Sequence, residues 1–125
     1  MSSIDWDKAR LESFVFLGHE FDVSLAKQIL ANKRRVRVTE IDVSEAQNMI
    51  VPRGAVMMGV LVDWDVVRSD VVDITVPIIV VQLKKGSLLP IDGWHRIAKA
   101  QLLGLAKLPA CILSKQDSKR VQCGY

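Results

Sequence analysis

Asp92, Gly93, His95 and Arg96 fall within five consecutive residues, where the apolar run "LLPI" gives way to the segment "GWHRIAKAQLLG". If Gly93 opens a helix, the backbone N–H groups of its first turn are unpaired and lie at the positive end of the macrodipole, which attracts anions. Gly93 lets an anion approach the backbone closely and permits unusual dihedrals. Arg96 presents a planar fork of donors suited to phosphate oxygens. His95 can donate a hydrogen bond or move a proton near neutral pH. Asp92, just upstream, can hold a metal ion, orient a hydroxyl or accept its proton. Each residue also has a plainer use: Asp92 as a helix cap, Arg96 as a solvated charge, His95 and Trp94 as packing. Their convergence at one strand-to-helix junction favours a phosphate cradle.

Other polar residues are candidates for auxiliary roles. Glu40 and Asp42, in "VTEIDV", share parity on a predicted strand, so both carboxylates fall on one face and suit Mg²⁺ or a substrate amine. Lys84, at the predicted turn "KKGS", and Arg53, beside Gly54, are candidates for further phosphate contacts. The basic run Lys33-Arg34-Arg35-Val36-Arg37 suits nucleic-acid phosphates but carries no interleaved aromatic side chain. Cys111 and Cys123 lack the spacing of a zinc site or a CxxC motif.

These residues need elements to position them. "FVFLGHEFDV" predicts a strand or hairpin starting near Phe14. "VSLAKQILANK" places Val23, Ala26, Ile29 and Leu30 at helical spacing, with Asp22 or Ser24 as cap. "RRVRVTEIDVS" alternates as a half-buried strand, and Ser44 with Gln47 forms a capping-box pattern for a short helix over 45–50. The stretch 55–76 mixes strand composition with helical intervals at Trp64, Val67, Val71 and Ile74. "VPIIVVQL" and "LLPID" predict two strands joined by a turn. A helix follows from Gly93 to Leu103, with Gly104 as its C-terminal glycine. Leu108 to Leu113 predicts a last strand, and "SKQDSKRVQ" a terminal helix capped by Ser114.

A chain of 125 residues, half of them hydrophobic, bounds the answer to one compact domain. Residues 1–12 read as a flexible lead-in and 13–125 as a single α+β domain, with a small mixed sheet and flanking helices. A net charge of +3 and a pI near 9.0 suit anionic ligands. Apolar runs are too short to span a bilayer, and two thiols without a signal peptide fit a reducing cytosol. A soluble, cytoplasmic protein with no membrane partner is the expectation.

The segment "PIIVVQL", followed by "LLPIDGWHRIAKAQLLGLAKLPACIL", resembles the signature of the ParB/sulfiredoxin superfamily. That signature runs as a Pro-led strand, a turn, a returning strand and a Gly-x-His-Arg motif. The motif opens a helix ending in Leu-Gly, and an Ile-Pro-like strand follows. The likeness extends from Val76 to Leu113, and "RVRVTEIDVSEA" fits the family's earlier strand-helix region more loosely.

The resemblance implies a ParB/sulfiredoxin-like fold. It also implies nucleotide phosphates bound at Gly93, His95 and Arg96, with the backbone N–H of Trp94 contributing. In the Asp-Gly-x-His-Arg branch, which includes ADP-dependent free serine kinases, the acidic residue acts at the reacting group. That makes Asp92 the candidate catalytic carboxylate, with His95 beside it. The kinase branch also draws on a glutamate from its N-terminal half, for which Glu40 is the candidate. ATP, ADP or CTP would be the ligand, with Mg²⁺.

Two departures shape the expectation. Sulfiredoxins carry their catalytic cysteine where this chain has Trp94, so sulfinic acid reduction is disfavoured. After Leu113 only "SKQDSKRVQCGY" follows, so the helix-turn-helix of partitioning proteins is not expected. The expected function is nucleotide-phosphate binding, with NTP hydrolysis or phosphoryl transfer to a small molecule. The alternative is a non-catalytic or nuclease-like nucleic-acid-binding regulator of plasmid or phage type.

Overall fold

The computed structural model describes residues 13–16, 19–44, 63–83 and 87–124. Ile78 to Val81 form an unbroken β-branched run in which every residue is buried, the pattern of a central strand covered on both faces. This strand, β4 (Ile78–Gln82), pairs antiparallel with β5 (Leu88–Asp92) and parallel with β6 (Lys107–Ile112). A further strand, β3 (Thr39–Asp42), pairs antiparallel with β6, giving the order β3-β6-β4-β5. The parallel β4–β6 pair requires a crossover, and helix α3 (Trp94–Leu102) supplies it with Ile97, Ala98 and Ala100 fully buried.

A second, three-stranded antiparallel sheet joins β1 (Ser13–Phe16), β2 (His19–Asp22) and β7 (Gln122–Gly124) in the order β1-β2-β7. Helix α1 (Val23–Asn32) starts directly from β2, where the Asp22 carboxylate accepts from the backbone N–H of Leu25 at 2.9 Å. The short helix α2 (Trp64–Val67) is capped in the same manner by Asp63. Helix α4 (Lys115–Val121) is capped by Ser114, whose hydroxyl accepts from Asp117 N. One continuous core, from Phe21 and Val23 through the β4 run to Ile97, Leu113 and Val121, ties both sheets to the helices. The fold is α+β, as expected, and none of the described helices is long and apolar enough to cross a membrane.

Two expectations need correction. The strand predicted over "RRVRVTEIDVS" is confined to Thr39–Asp42, because β6 offers partners only to those four residues. The strand Lys107–Ile112 is not the last: after α4 the chain adds β7 to the hairpin. The small mixed sheet is present as expected, in the order β3-β6-β4-β5, and the three-stranded antiparallel sheet stands beside it. The helix over 45–50, the turn over 84–86 and the lead-in 1–12 lie outside the described residues.

An ion-pair node joins α4 to the end of α1. Asp117 accepts from Lys33 Nζ at 3.2 Å and Arg120 Nη1 at 3.3 Å, with its side chain only 13% exposed. Burial opposes its ionisation, yet the Lys33 hydrogen bond and charge, with Ser114 and Arg120, hold its carboxyl below the usual carboxylate value. A folded pKa below the unfolded one adds stability above about pH 4, the unfolded carboxylate value, and loses it as pH falls through the folded value. Urea midpoints measured from neutral pH downward should therefore fall more gently in Asp117→Asn than in the parent. Superimposable acid limbs would remove Asp117 from this role.

Candidate functional site

The junction between β5 and α3 is built around Gly93. Its φ of 101° is left-handed, and a Cβ there would lie 2.8 Å from Ile78 Cβ and closer still to Ile78 Cγ2. Only glycine meets both demands. Gly93 is thus the N-cap of α3 and provides no side-chain cap, so the plainer use of Asp92, as the cap of this helix, is set aside. Asp92 instead directs Oδ2 to Arg96 Nη2 at 3.0 Å, one helical turn along.

Arg96 holds more than this carboxylate. Its Nη1 donates to the carbonyls of Val76 and Pro77, each at 2.9 Å, just before β4 begins. Three of the five guanidinium donors are so engaged. Nε–H and the second Nη2 hydrogen have no acceptor among the described residues. His95 Nε2 accepts from the backbone N–H of Asp63 at 3.1 Å, so this ring carries its proton on Nδ1. Lys99, one turn further along α3, donates from Nζ to the carbonyls of Ser69 and Val72, both at 2.9 Å. His95, Arg96 and Lys99 together fasten the segment 63–77 against α3 through backbone groups alone.

Between that segment and the start of α3 lies a cleft of about 440 Å³. Asp92, Gly93, His95 and Arg96 line one side, and Val66, Val71, Val72 and Val76 make an apolar wall with Asp73 among them. Asp73 Oδ1 accepts from both the N–H and the hydroxyl of Thr75, at 2.9 and 2.6 Å. These bonds, the hydroxyl first, hold its carboxyl below the ordinary value, with a smaller assist from the charges of Arg96 and Lys99. The cleft therefore presents a helix N-terminus, a guanidinium and two carboxylates.

The remaining predicted residues are placed elsewhere. Trp94 is buried, with its indole N–H donating to the Pro90 carbonyl at 2.9 Å, so its ring belongs to the core rather than to the cleft. Glu40 and Asp42 stand exposed on β3, three strand spacings from β5, or about 14 Å across the sheet. Asp42 pairs there with Lys107 at 3.1 Å. Arg53 and Lys84 lie outside the described residues. Asp73, Lys99 and the valine wall are additions that the motif-centred reading missed. Asp73 was signalled by "DIT", an Asp two residues before a Thr, which suits a local side-chain turn. Lys99 carried no local signal, since its two carbonyl partners lie 27 and 30 residues away.

For Mg²⁺, the described residues contain no group of three or more His, Cys, Asp or Glu side chains able to enclose an ion. Asp92 and Asp73 nonetheless face one cleft. Mg²⁺ commonly takes one or two carboxylates and completes its shell with water and phosphate oxygens, so this donor set fits a cation arriving with a phosphate. Neither family models, nor curated proteins, nor solved structures give a match to this chain.

Proposed function

We propose that the cleft between α3 and the 63–77 segment binds a phosphate-bearing ligand of nucleotide type. The observation that carries this reading is the left-handed, side-chain-free N-cap at Gly93, which leaves the α3 N-terminus open to the cleft. The N–H groups of the first turn would receive phosphate oxygens, helped by the two remaining Arg96 donors and by His95 Nδ1–H. The valine wall suits the less polar part of the ligand. Two carboxylates beside a phosphate repel it, which favours a metal-complexed phosphate over a bare one. Asp92 and Asp73 would hold that Mg²⁺, which supplies charge neutralisation at the phosphate.

On this reading the chain is a nucleotide-binding protein with a capacity for phosphoryl transfer or hydrolysis. The work there is positioning and charge stabilisation. Asp92 Oδ1 has no partner among the described residues and would orient an acceptor hydroxyl or water while Arg96 fixes the other oxygen. The likeness to the Asp-Gly-x-His-Arg branch of the ParB/sulfiredoxin superfamily supports the same assignment. Glu40 is left without a role in it by its distance.

Thermal unfolding with ATP, ADP, CTP and GTP, each with and without Mg²⁺, tests the proposal. A ligand at about 100 times its Kd stabilises by about 2.7 kcal/mol, a readily measured rise in Tm. At least one nucleotide should act, and more strongly with Mg²⁺. Asp92→Asn should abolish turnover and remove the extra rise that Mg²⁺ gives, while sparing the rise given by the nucleotide alone. Flat Tm values across the whole panel would end this reading.

A further inference from the structure

Two basic segments lying some eighty residues apart in sequence meet where Lys33 contacts Asp117. Asp117 grips Lys33 from the end of α1 and Arg120 from α4, which brings the start of the segment 33–37 against α4. Four cations lie in 33–37. Three lie in 115–120, with Asp117 as the only acid. These segments together carry +6, against +3 for the whole chain, so the remaining residues are net −3. The charge of this mildly basic protein is concentrated rather than spread.

The cations are also available. In α4 the exposed positions within 115–120 are Lys115, Gln116, Lys119 and Arg120, while Asp117, Ser118 and Val121 turn inward. Arg34, Arg35 and Arg37 are exposed and make no ion pair or hydrogen bond with the described residues. Lys115 and Lys119, one turn apart, likewise make no ion pair or hydrogen bond through their side chains with the described residues. None of these residues lines the cleft.

We infer that this face binds the phosphate backbone of duplex nucleic acid, independently of the nucleotide cleft and without reading sequence. Arginines supply four of the seven cations, and their planar forks suit phosphate oxygens. A membrane surface fits less well, because no large exposed apolar side chain lies in 33–37 or 115–121 to enter an interface. A single strand fits less well too, because neither segment carries an aromatic ring on which an unstacked base would lie.

The test is fluorescence anisotropy of the whole chain with a short mixed-sequence DNA duplex, titrated between about 50 and 200 mM NaCl. Binding should weaken linearly in log–log form. The combined variant Arg34→Gln, Arg35→Gln, Lys119→Gln should flatten the slope by about 2.7, at roughly 0.9 per lost phosphate contact. Lys107→Gln, outside this face, should leave the slope unchanged. If circular dichroism shows the triple variant unfolded, Arg37→Gln with Lys115→Gln replaces it, with an expected flattening of about 1.8. Absence of duplex binding near 50 mM salt, an unchanged slope in a folded variant, or tighter binding to phosphatidylserine vesicles or to the single strand would each overturn the inference.

Discussion

Replacing Gly93 with alanine should destabilise the protein by about 2–5 kcal/mol, combining left-handed strain of about 1–2 with overpacking of about 1–3. The strain follows from the φ of 101°, and the overpacking from Ile78, which stands where the new methyl must go. Ile78 is fully buried in β4 and cannot withdraw without disturbing the centre of the sheet. Gly104 provides an internal control. It is also left-handed, at φ 73°, but a Cβ there meets nothing within 4 Å. Gly104→Ala should therefore show the strain alone, about 1–2 kcal/mol. Urea unfolding of both variants separates the two contributions. Equal losses would mean that β4 and the α3 start do not approach as described.

Arg96→Ala should cost about 3 kcal/mol in stability, near the lower bound for breaking a buried pair by removing one partner. The low end is appropriate because the Arg96 and Asp92 side chains keep 15% and 19% exposure. The substitution strands the Asp92 carboxylate and leaves the carbonyls of Val76 and Pro77 without their donor. Arg96→Lys should recover only part of the loss, since a single ammonium cannot reproduce the fork across three acceptors. A double-mutant cycle with Asp92→Asn should return a coupling of about 0.5–3 kcal/mol, the range for residues sharing one network. The nucleotide-dependent rise in Tm should shrink in parallel, because the same guanidinium shapes and charges the cleft. A loss below about 1 kcal/mol would show that these bonds are not holding the 63–77 segment.

What could be read in advance was whatever the sequence encodes locally. β4 was legible as a run of β-branched residues, and α3 as a change of period punctuated by Gly93 and Gly104. The cap at Ser114 was legible from residue type alone, and that at Asp22 as one of two candidates with Ser24. The convergence of Asp92, Gly93, His95 and Arg96 on one cleft followed from that junction. The dual employment of Arg96 did not, since its carbonyl partners come from a segment with no clear period of its own. The stretch 33–38 alternates like a strand but has no pairing partner among the described residues, and its first residue, Lys33, contacts Asp117. That contact joins positions 84 residues apart, and no local pattern announces it.

The indole of Trp94 has a consequence beyond its place in the core. Among the described residues β5 is an outer strand of its sheet, and such an edge ordinarily invites a strand from another molecule. At Pro90 the backbone has no N–H to offer, and its carbonyl is already taken by the Trp94 indole. The turn that shapes the cleft thus also makes this strand a poorer template, and Trp94→Phe, by freeing that carbonyl, should leave a molecule that folds but self-associates more readily as its concentration rises.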